Sequence, residues 1–283
     1  MVAHNLNPKQ LQAVESSPGP LLIIAGAGSG KTKTLTNRLQ YLLSNGVTPE
    51  SIIAITFTNK AAGEMSARVA RDISIFSAKG GSASGGKYHG RWPFIGTFHS
   101  LGARILRKEA LNLGRGMNYT IYDSDDSLSA IKRTIKSLNL SKKDTLGPSL
   151  LRYYISKIKS GLITVDDLVD VPKLEVVKAV AEEYEKELAR NNAFDFDDLI
   201  LKPVQLWREN PLILQKYQDK YRYVLVDEFQ DVNTAQYEFV RLLAKNHKNI
   251  NVVGDDSQAI YGFRSANYKH FLNFEHDWPE TKV

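Results

Sequence analysis

Leu21-Leu22-Ile23-Ile24-Ala25-Gly26-Ala27-Gly28-Ser29-Gly30-Lys31-Thr32 is the stretch that decides the fold. It opens with an apolar run, which predicts a buried strand, because a parallel strand covered on both faces needs no alternation of polar and apolar residues. A glycine-rich turn follows and ends in Gly-Lys-Thr, and we expect a helix to begin near Lys31. This order of strand, turn and helix is typical of a phosphate-binding loop.

The loop that follows this strand carries the residues from which we predict nucleotide binding. Backbone N–H groups in a glycine-rich turn can wrap an anion, and the N-terminus of a helix attracts phosphate. We therefore predict that the Lys31 ammonium contacts the β- and γ-phosphates of ATP and that the Thr32 hydroxyl is a ligand of Mg²⁺. Ala25 stands where the pattern usually has its first glycine, and the alternative is a turn that binds nothing. The predicted nucleotide-binding residues of this loop are Ala25, Gly26, Ala27, Gly28, Ser29, Gly30, Lys31 and Thr32.

The composition favours a globular protein of the cytoplasm. Of the 283 residues, 42% are hydrophobic and 24% are charged, which is enough to bury a core. The absence of cysteine excludes disulfides, thiolate zinc sites and cysteine nucleophiles, and the six histidines show no metal-ligand spacing. No apolar run approaches the ~20 residues of a membrane span, and the first ten residues hold no apolar signal segment. We therefore predict a cytoplasmic protein that makes no contact with a membrane.

Length and charge bear on organisation and partners. A chain of 283 residues exceeds a typical domain of about 100–200 residues, which favours one large domain with an insertion. The net charge of +6 favours an anionic partner such as nucleic acid. A segment rich in Gly and Ser, residues 77–87, predicts a flexible surface loop. Either this loop faces DNA through Lys79, Lys87 and Arg91, or it is an inert insertion.

Strands and helices alternate along most of the chain, which predicts a parallel sheet. From about residue 113 to 219 the pattern is mostly helical, apart from a short β-like run at 119–122. We therefore predict an α/β fold in which one domain, residues 1–112 and 220–283, is interrupted by a helical subdomain at 113–219. Further strands are predicted at 52–56, 94–97, 223–226 and 250–253, and helices at 8–14, 31–44, 59–73, 100–109, 125–138, 148–160, 174–190 and 196–207.

A second motif, Val224-Leu225-Val226-Asp227-Glu228, places two carboxylates directly after an apolar strand. Open α/β sheets bind their ligands at the carboxyl ends of the strands. In enzymes with a phosphate-binding loop, an acid at this place holds Mg²⁺ together with the hydroxyl of the loop. We therefore predict that Asp227 and Thr32 bind Mg²⁺ and that Glu228 is the general base that activates water.

Extended to Asp227-Glu228-Phe229-Gln230-Asp231, this motif resembles that of the superfamily 1 DNA helicases of the UvrD/Rep/PcrA group. The resemblance covers essentially the whole chain, in order. It implies a RecA-like P-loop NTPase sheet with an inserted α-helical subdomain, ATP and Mg²⁺ as cofactors, and single-stranded DNA and duplex junctions as partners. It also implies that Gln10 recognises adenine, since an amide can pair with a donor and an acceptor. Lys33 stands where these helicases place a cation, usually arginine, against the adenine.

Three further stretches are similar to the DNA-contacting motifs of that family. In Ile55–Ala62, Phe57 offers a stacking face, and Thr58 and Asn59 open a helix whose N-terminus can bind phosphate. Read without the family, Thr58-Asn59 is only a helix cap. The stretch 96–100 assigns a DNA contact to His99 by resemblance alone. The stretch 194–199 assigns a base contact to Phe196; its three acids suggest either a metal site or acids stabilised by a helix N-terminus.

The stretch Val253–Arg264 resembles the family motif that joins the two sites. There the resemblance implies that Gln258 senses the γ-phosphate and contributes to catalysis. The same resemblance implies that Tyr261, Phe263 and Arg264 meet the DNA. Phe263 stands where many members have tryptophan, which leaves a smaller stacking face. Other departures from the common pattern are Ser257, Ala259 and Ser265.

Family members continue into a second RecA-like domain that supplies arginine fingers, and we expect it after Val283. The predicted function is therefore the ATP-binding half of an ATP-dependent 3′-to-5′ DNA helicase in DNA repair or replication. By itself this half is not expected to unwind a duplex. The alternative is a non-catalytic, ATP-gated module that binds single-stranded DNA. A small-molecule kinase is disfavoured by Gln10 and by the DNA-contacting motifs.

Overall fold

The structure is a computed structural model that describes residues 6–78, 92–141, 143–255 and 268–283. Contacts divide the chain into two compact units. Unit 1 comprises Met1–Leu101, Pro211–Val232 and Val240–Val283; unit 2 comprises Gly102–Asn210 and Asn233–Phe239. The boundaries drawn from the sequence, at 112/113 and 219/220, stay a prediction.

Short strands and longer helices follow one another along the described residues. The strands are β1 (Leu21–Ile24), β2 (Ile52–Ile55), β3 (Phe94–Gly96), β4 (Thr120–Tyr122), β5 (Ala193–Asp195), β6 (Tyr223–Val226) and β7 (Ile250–Gly254). The helices are α1 (Pro8–Val14), α2 (Lys31–Ser44), α3 (Asn59–Ala78), α4 (Phe98–Glu109), α5 (Ser124–Ser137), α6 (Pro148–Gly161), α7 (Leu174–Arg190), α8 (Asp198–Glu209), α9 (Pro211–Lys220), α10 (Thr234–Ala244), α11 (Lys269–Leu272) and α12 (Phe274–Asp277).

Unit 1 is built on a parallel sheet of five strands in the order β1-β7-β6-β2-β3. Every neighbouring pair in it is parallel, with Leu21 opposite Asn251 and Ile52 opposite Tyr223. Strands β2 and β7 are buried along their whole length, which explains why their sequences show no polar alternation. The predicted parallel α/β sheet is therefore confirmed. Because all five strands run in the same direction, their carboxyl ends all lie at the same end of the sheet.

Packing on the sheet fixes helix α2, which carries the phosphate-binding loop at its start. Leu35 and Leu39 of α2 are fully buried in one core cluster with Ile52 of β2 and Leu225 of β6. On the same helix, the buried Arg38 guanidinium donates to the carbonyl of Val14, at the end of α1, over 2.8 Å. This bond fixes helix α1, which carries Gln10, beside the phosphate-binding loop.

Unit 2 has its own helical core. Helices α5, α6 and α7 bury a cluster of apolar side chains, and β4 pairs with β5 in a parallel ladder. The sequence analysis missed β5 and began the following helix at Phe196, whereas helix α8 begins at Asp198. The prediction was wrong because a three-residue strand has too few residues to show a period, and its partner β4 lies about 70 residues earlier. No helix in the described ranges is long and apolar enough to cross a membrane.

Candidate functional site

The phosphate-binding loop adopts a backbone that requires glycine at two positions. Gly28 and Gly30 have φ angles of 71° and 85°, in the left-handed region that side chains disfavour. Ala25 is not among the residues with positive φ, so alanine is tolerated there without strain. Helix α2 begins at Lys31 as predicted, with Gly30 as its N-cap. The first-turn N–H groups of α2 therefore meet no capping side chain and can donate to an anion.

The two predicted Mg²⁺ ligands lie side by side. The Thr32 hydroxyl donates to Asp227 Oδ2 over 2.7 Å, joining the start of α2 to the end of β6. Burial raises the pKa of Asp227, the Glu228 charge raises it further, and the Thr32 hydrogen bond opposes both. A hydroxyl and a carboxylate are both hard oxygen ligands, so this pair has the chemistry that Mg²⁺ prefers.

Lys31 is buried between two carboxylates and touches neither closely. Its Nζ atom lies 3.4 Å from Asp255 Oδ2 and 3.5 Å from Glu228 Oε2. Asp255 is fully buried and directly follows β7, which is the neighbour of β6 in the sheet. The sequence analysis did not select Asp255, although an acid immediately after an apolar strand is the signal that identified Asp227.

Glu228 adopts a strained backbone at the centre of the site. Its φ angle is 48°, a left-handed conformation that costs a non-glycine residue about 1–3 kcal/mol and is concentrated at functional sites. The Gln230 side chain donates to Glu228 Oε2 over 2.8 Å and accepts from the Asp255 N–H over 3.2 Å. Gln230 thereby orients the Glu228 carboxylate. This role was missed because the sequence does not show which way an amide points.

Gln10 lies next to the loop. Its amide nitrogen donates to the Ser29 carbonyl over 2.8 Å, and its amide oxygen accepts from the Asn7 N–H over 2.9 Å. An amide has two N–H groups and two lone pairs, so one donor and one acceptor of Gln10 stay available for a base edge. Lys33 follows in the first turn of α2, and the Cβ of Lys33 lies near Gly30. Both predicted adenine contacts therefore lie beside the phosphate-binding loop.

The predicted DNA contacts of unit 1 lie at the ends of β2 and β3, which are paired strands. Phe57 is 39% exposed although it is a large apolar residue. The Thr58 hydroxyl accepts from the Ala61 N–H over 3.1 Å, so it caps helix α3. Asn59 is exposed at the first position of that helix. The cap interpretation of Thr58 therefore holds, and the hydroxyl proton of Thr58 is still able to contact a phosphate.

His99 lies in the first turn of α4, directly after β3. Burial lowers the pKa of His99 to about 4, so its imidazole is neutral at pH 7. Thr97 and Ser100 cap the helix reciprocally through 2.9 Å and 3.2 Å bonds from backbone N–H to hydroxyl. Helix α4 begins at Phe98, two residues before the predicted start. A neutral imidazole at this place offers DNA a hydrogen bond or a stacking face.

Phe196 lies in a turn between β5 and α8 and is 55% exposed. The acids around it do not form a metal site: among the described residues, no group of three or more His, Cys, Asp or Glu is arranged to hold a metal ion. Asp195 and Asp198 instead bind the ammonium of Lys159. The metal hypothesis for this stretch is therefore wrong.

Several predicted residues lie outside the described ranges. They are Gln258, Tyr261, Phe263 and Arg264 of the third motif and Lys79, Lys87 and Arg91 of the loop rich in Gly and Ser. Their roles stay predictions. The described residues end at Asp255 on one side of the third motif and resume at Tyr268 on the other.

The family comparison accounts for the combination of a phosphate-binding loop and the exposed Phe57 ring on one sheet. Residues 6–279 match the family model described as the UvrD/REP helicase N-terminal domain. The chain belongs to this family. The RecA-like α/β fold that the resemblance implied is confirmed by this match and by the parallel sheet. In this UvrD/REP domain the residues of the candidate nucleotide site follow β1, β6 and β7, and the predicted DNA contacts of unit 1 follow β2 and β3.

Relatives with curated names agree with the family. The protein named ATP-dependent DNA helicase PcrA from Staphylococcus epidermidis is 44% identical over 99% of this chain. A protein from Rickettsia felis, named a probable DNA helicase II homolog, is 43% identical over 99% of it. The chain spans 37% and 41% of the lengths of these two proteins.

Proposed function

We propose that this chain is the ATP-binding part of an ATP-dependent DNA helicase that moves 3′ to 5′ along single-stranded DNA. One observation carries the proposal: at one edge of a single sheet, Lys31 and Thr32 meet Asp227, Glu228 and Asp255, and exposed Phe57 follows the adjoining strand. The family membership supports the direction of movement, the duplex junction as a substrate and a second RecA-like domain as a partner. A cytoplasmic location follows from such a substrate and stays a prediction.

The nucleotide site would divide its work among four side chains. Thr32 and Asp227 would hold Mg²⁺, which neutralises charge on the β- and γ-phosphates when it is bound. The contacts of Lys31 with its two carboxylates exceed the usual 2.7–2.9 Å of a charge-assisted hydrogen bond, so phosphate oxygens can replace them. Glu228, held by Gln230, would take the proton from the attacking water.

The carboxyl ends of β2 and β3 would bind single-stranded DNA through both its bases and its phosphate backbone. Phe57 offers a ring on which a base can stack, a contact that tolerates every sequence. The N-terminus of α3 and the hydroxyl of Thr58 offer donors to phosphate. His99, which is neutral, would add a hydrogen bond. The Phe196 ring would provide a further stacking step from unit 2.

A direct backbone hydrogen bond joins the nucleotide site to the strand that leads to the predicted DNA contacts. The Asp227 N–H donates to the Ile55 carbonyl over 2.9 Å, so the Mg²⁺-binding end of β6 is tied to β2, which leads to Phe57. A shift of Asp227 on hydrolysis would therefore reach the strand that carries the DNA contact. Contiguous backbone of this kind can carry a coupling free energy between two sites.

Phosphate release distinguishes this function from an ATP-gated binding module. We expect slow release from Mg²⁺-ATP under single-turnover conditions, accelerated by a single-stranded oligonucleotide. A module that only binds would release no phosphate in either condition, while ATP would still change its affinity for DNA. The Thr32→Ala variant should release no phosphate. The control is Lys248→Ala, which alters an exposed lysine outside the proposed nucleotide site. A chain that binds neither ATP nor DNA would contradict both functions.

A further inference from the structure

Lys159 is a buried lysine that the nucleotide chemistry does not use. It lies on α6 of unit 2 and is 4% exposed. Its ammonium contacts Glu185 over 2.5 Å, Asp195 over 2.8 Å and Asp198 over 2.9 Å. Burial acts to lower the pKa of Lys159, but the three carboxylates together raise it well above its usual value. Asp195 and Asp198 each accept a hydrogen bond from the ammonium, Glu185 adds an ion pair, and the lysine is charged at neutral pH.

Two of these acids close the turn that carries Phe196. The Asp195 N–H donates to Asp198 Oδ2 over 3.2 Å, and the Asp198 N–H donates to Asp195 Oδ1 over 2.9 Å. Each carboxylate thus uses one oxygen for the turn and the other for Lys159. Phe196 and Asp197 lie between the two acids. Phe194, two residues earlier, is buried, while the Phe196 ring is more than half exposed.

The remaining acid ties this turn to the helices around it. Glu185 of α7 forms an ion pair with Lys159 and accepts a hydrogen bond from Lys202 of α8 over 2.8 Å. One ionic network therefore joins α6, α7, α8 and the end of β5. Buried ion pairs rarely stabilise a fold more than apolar packing of the same volume does. What this network does provide is one fixed geometry for the turn, because each bond constrains both distance and direction.

We propose that Lys159 is a positioning residue for DNA binding, whose ammonium holds the turn 195–198 so that the Phe196 ring faces a base of single-stranded DNA. The proposal rests on the proposed function, in which Phe196 contacts DNA. Lys159 itself is buried and acts only through the turn. Loss of its charge would leave three carboxylates facing one another, and the turn would open to separate them.

A double-mutant cycle on the full chain tests this role. The readout is the dissociation constant for a fluorescein-labelled oligo(dT), measured by anisotropy. Phe196→Ala should raise the constant by about 5- to 150-fold, the range for loss of one stacked base. Lys159→Met should raise it as well, and should add nothing when Phe196 is already alanine. Lys178→Met, an exposed lysine of α7 paired with Asp166 at 3.8 Å, is the matched control and should change nothing.

Each result of the cycle separates a positioning role from a structural one. A Lys159→Met effect of equal size in both backgrounds would show that the lysine supports the fold and not the ring, and would overturn the proposal. No Lys159→Met effect beside a clear Phe196→Ala effect would overturn the proposal and leave the DNA function intact. An unchanged constant in Phe196→Ala would remove Phe196 from the DNA interface, and Lys159 with it.

A second variant covers the case in which Lys159→Met does not fold, judged by helical circular dichroism. Asp195→Asn leaves Lys159 paired with Glu185 and Asp198, so the buried charges stay compensated. It removes one of the two charges that join the ammonium to the turn, and the other, on Asp198, stays. We expect the same non-additive pattern with Phe196→Ala at a smaller amplitude. Additive effects in a folded Asp195→Asn protein would contradict the proposal.

Discussion

Among the residues that the structure describes, Lys31 and Lys159 are both buried beside carboxylates, and their two environments differ. In unit 1, Lys31 lies 3.4 Å and 3.5 Å from its two acids, at the end of a glycine-rich loop. In unit 2, Lys159 lies 2.5–2.9 Å from three acids, on a well-packed helix. The first lysine has weak contacts that a stronger anion can replace. The second has two short hydrogen bonds and a third carboxylate beside it, so exchange for another anion would gain it little.

This difference separates a lysine that can bind a ligand from one that holds the surrounding structure in place. Burial and nearby acids are common to both, so neither feature alone identifies a functional site. The deciding features are the length of the contacts and the number of donors already used. Asp227 and Thr32 lie in the same site as Lys31, and they supply the oxygen ligands that a Mg²⁺-nucleotide needs.

The largest expected effect is on stability. Lys159→Met should lower the free energy of unfolding by about 3–5 kcal/mol, because removal of one partner leaves buried charges uncompensated. Lys31→Met should lower it by less, since the contacts it loses are long. Urea unfolding followed by circular dichroism measures both values. An equal loss from the two variants would erase the distinction between the two lysines.

A smaller effect is expected on DNA affinity, at the predicted DNA contacts of unit 1. Phe57→Ala should weaken binding of single-stranded DNA by about 1–3 kcal/mol for every sequence, because one stacking face is lost. Anisotropy titrations with oligo(dT) and a mixed-sequence oligonucleotide measure this. Phe57→Tyr keeps the ring and should bind as the unaltered chain does. Unchanged binding by Phe57→Ala would show that the exposed ring serves another purpose.

The acids of the Phe196 turn predict a pH effect on stability. Burial, with the charge of Asp195 as a smaller cause, raises the pKa of Asp197 from 3.8 to about 6. A raised carboxyl pKa favours the folded state below pH 3.8, and that contribution is lost as the pH rises through 6. Asp197→Asn should therefore flatten the decline in unfolding free energy between about pH 4 and pH 6. Identical pH dependence in Asp197→Asn and the unaltered chain would contradict this assignment.

The smallest effect is expected from His99. Its imidazole is neutral at pH 7 because burial lowers its pKa to about 4, so it releases no counterion when DNA binds. His99→Gln should leave the slope of log affinity against log salt unchanged. Lys60→Gln, in the exposed first turn of α3, should reduce the slope by about 0.7, the value for one phosphate contact to single-stranded DNA. A changed slope in His99→Gln would indicate a charged histidine at the interface.

The features that could be predicted were those whose residues lie close together in the sequence. The phosphate-binding loop, its helix and the acids after β6 were all predicted, because strand, turn and helix each leave a continuous pattern in the sequence. Asp255 carried the same signal after β7 and was overlooked. The orientation of Gln230 leaves no pattern at all, since an amide side chain has no directional preference visible in sequence.

The unit 2 network could not have been predicted in this way. Lys159 stands in a helix with one other lysine, Lys157, and a charged residue of a helix is normally exposed to solvent. Its partners lie about 26 to 39 residues further on, at Glu185, Asp195 and Asp198. The packing of α6 against α7 and α8 and the short ladder between β4 and β5 bring them together. The wrong start of α8 at Phe196 has the same cause.

The most direct test of the account is a titration of the chain with a fluorescent ATP analogue in the presence of Mg²⁺. We predict that Lys31→Met weakens binding by at least about 100-fold, because roughly 3 kcal/mol of charge-assisted contact with phosphate is lost. Folded Lys159→Met and the control Lys178→Met should bind as tightly as the unaltered chain. Wild-type affinity in Lys31→Met, or an equal loss in Lys159→Met, would contradict the claim that the loosely held lysine is the one that binds the nucleotide.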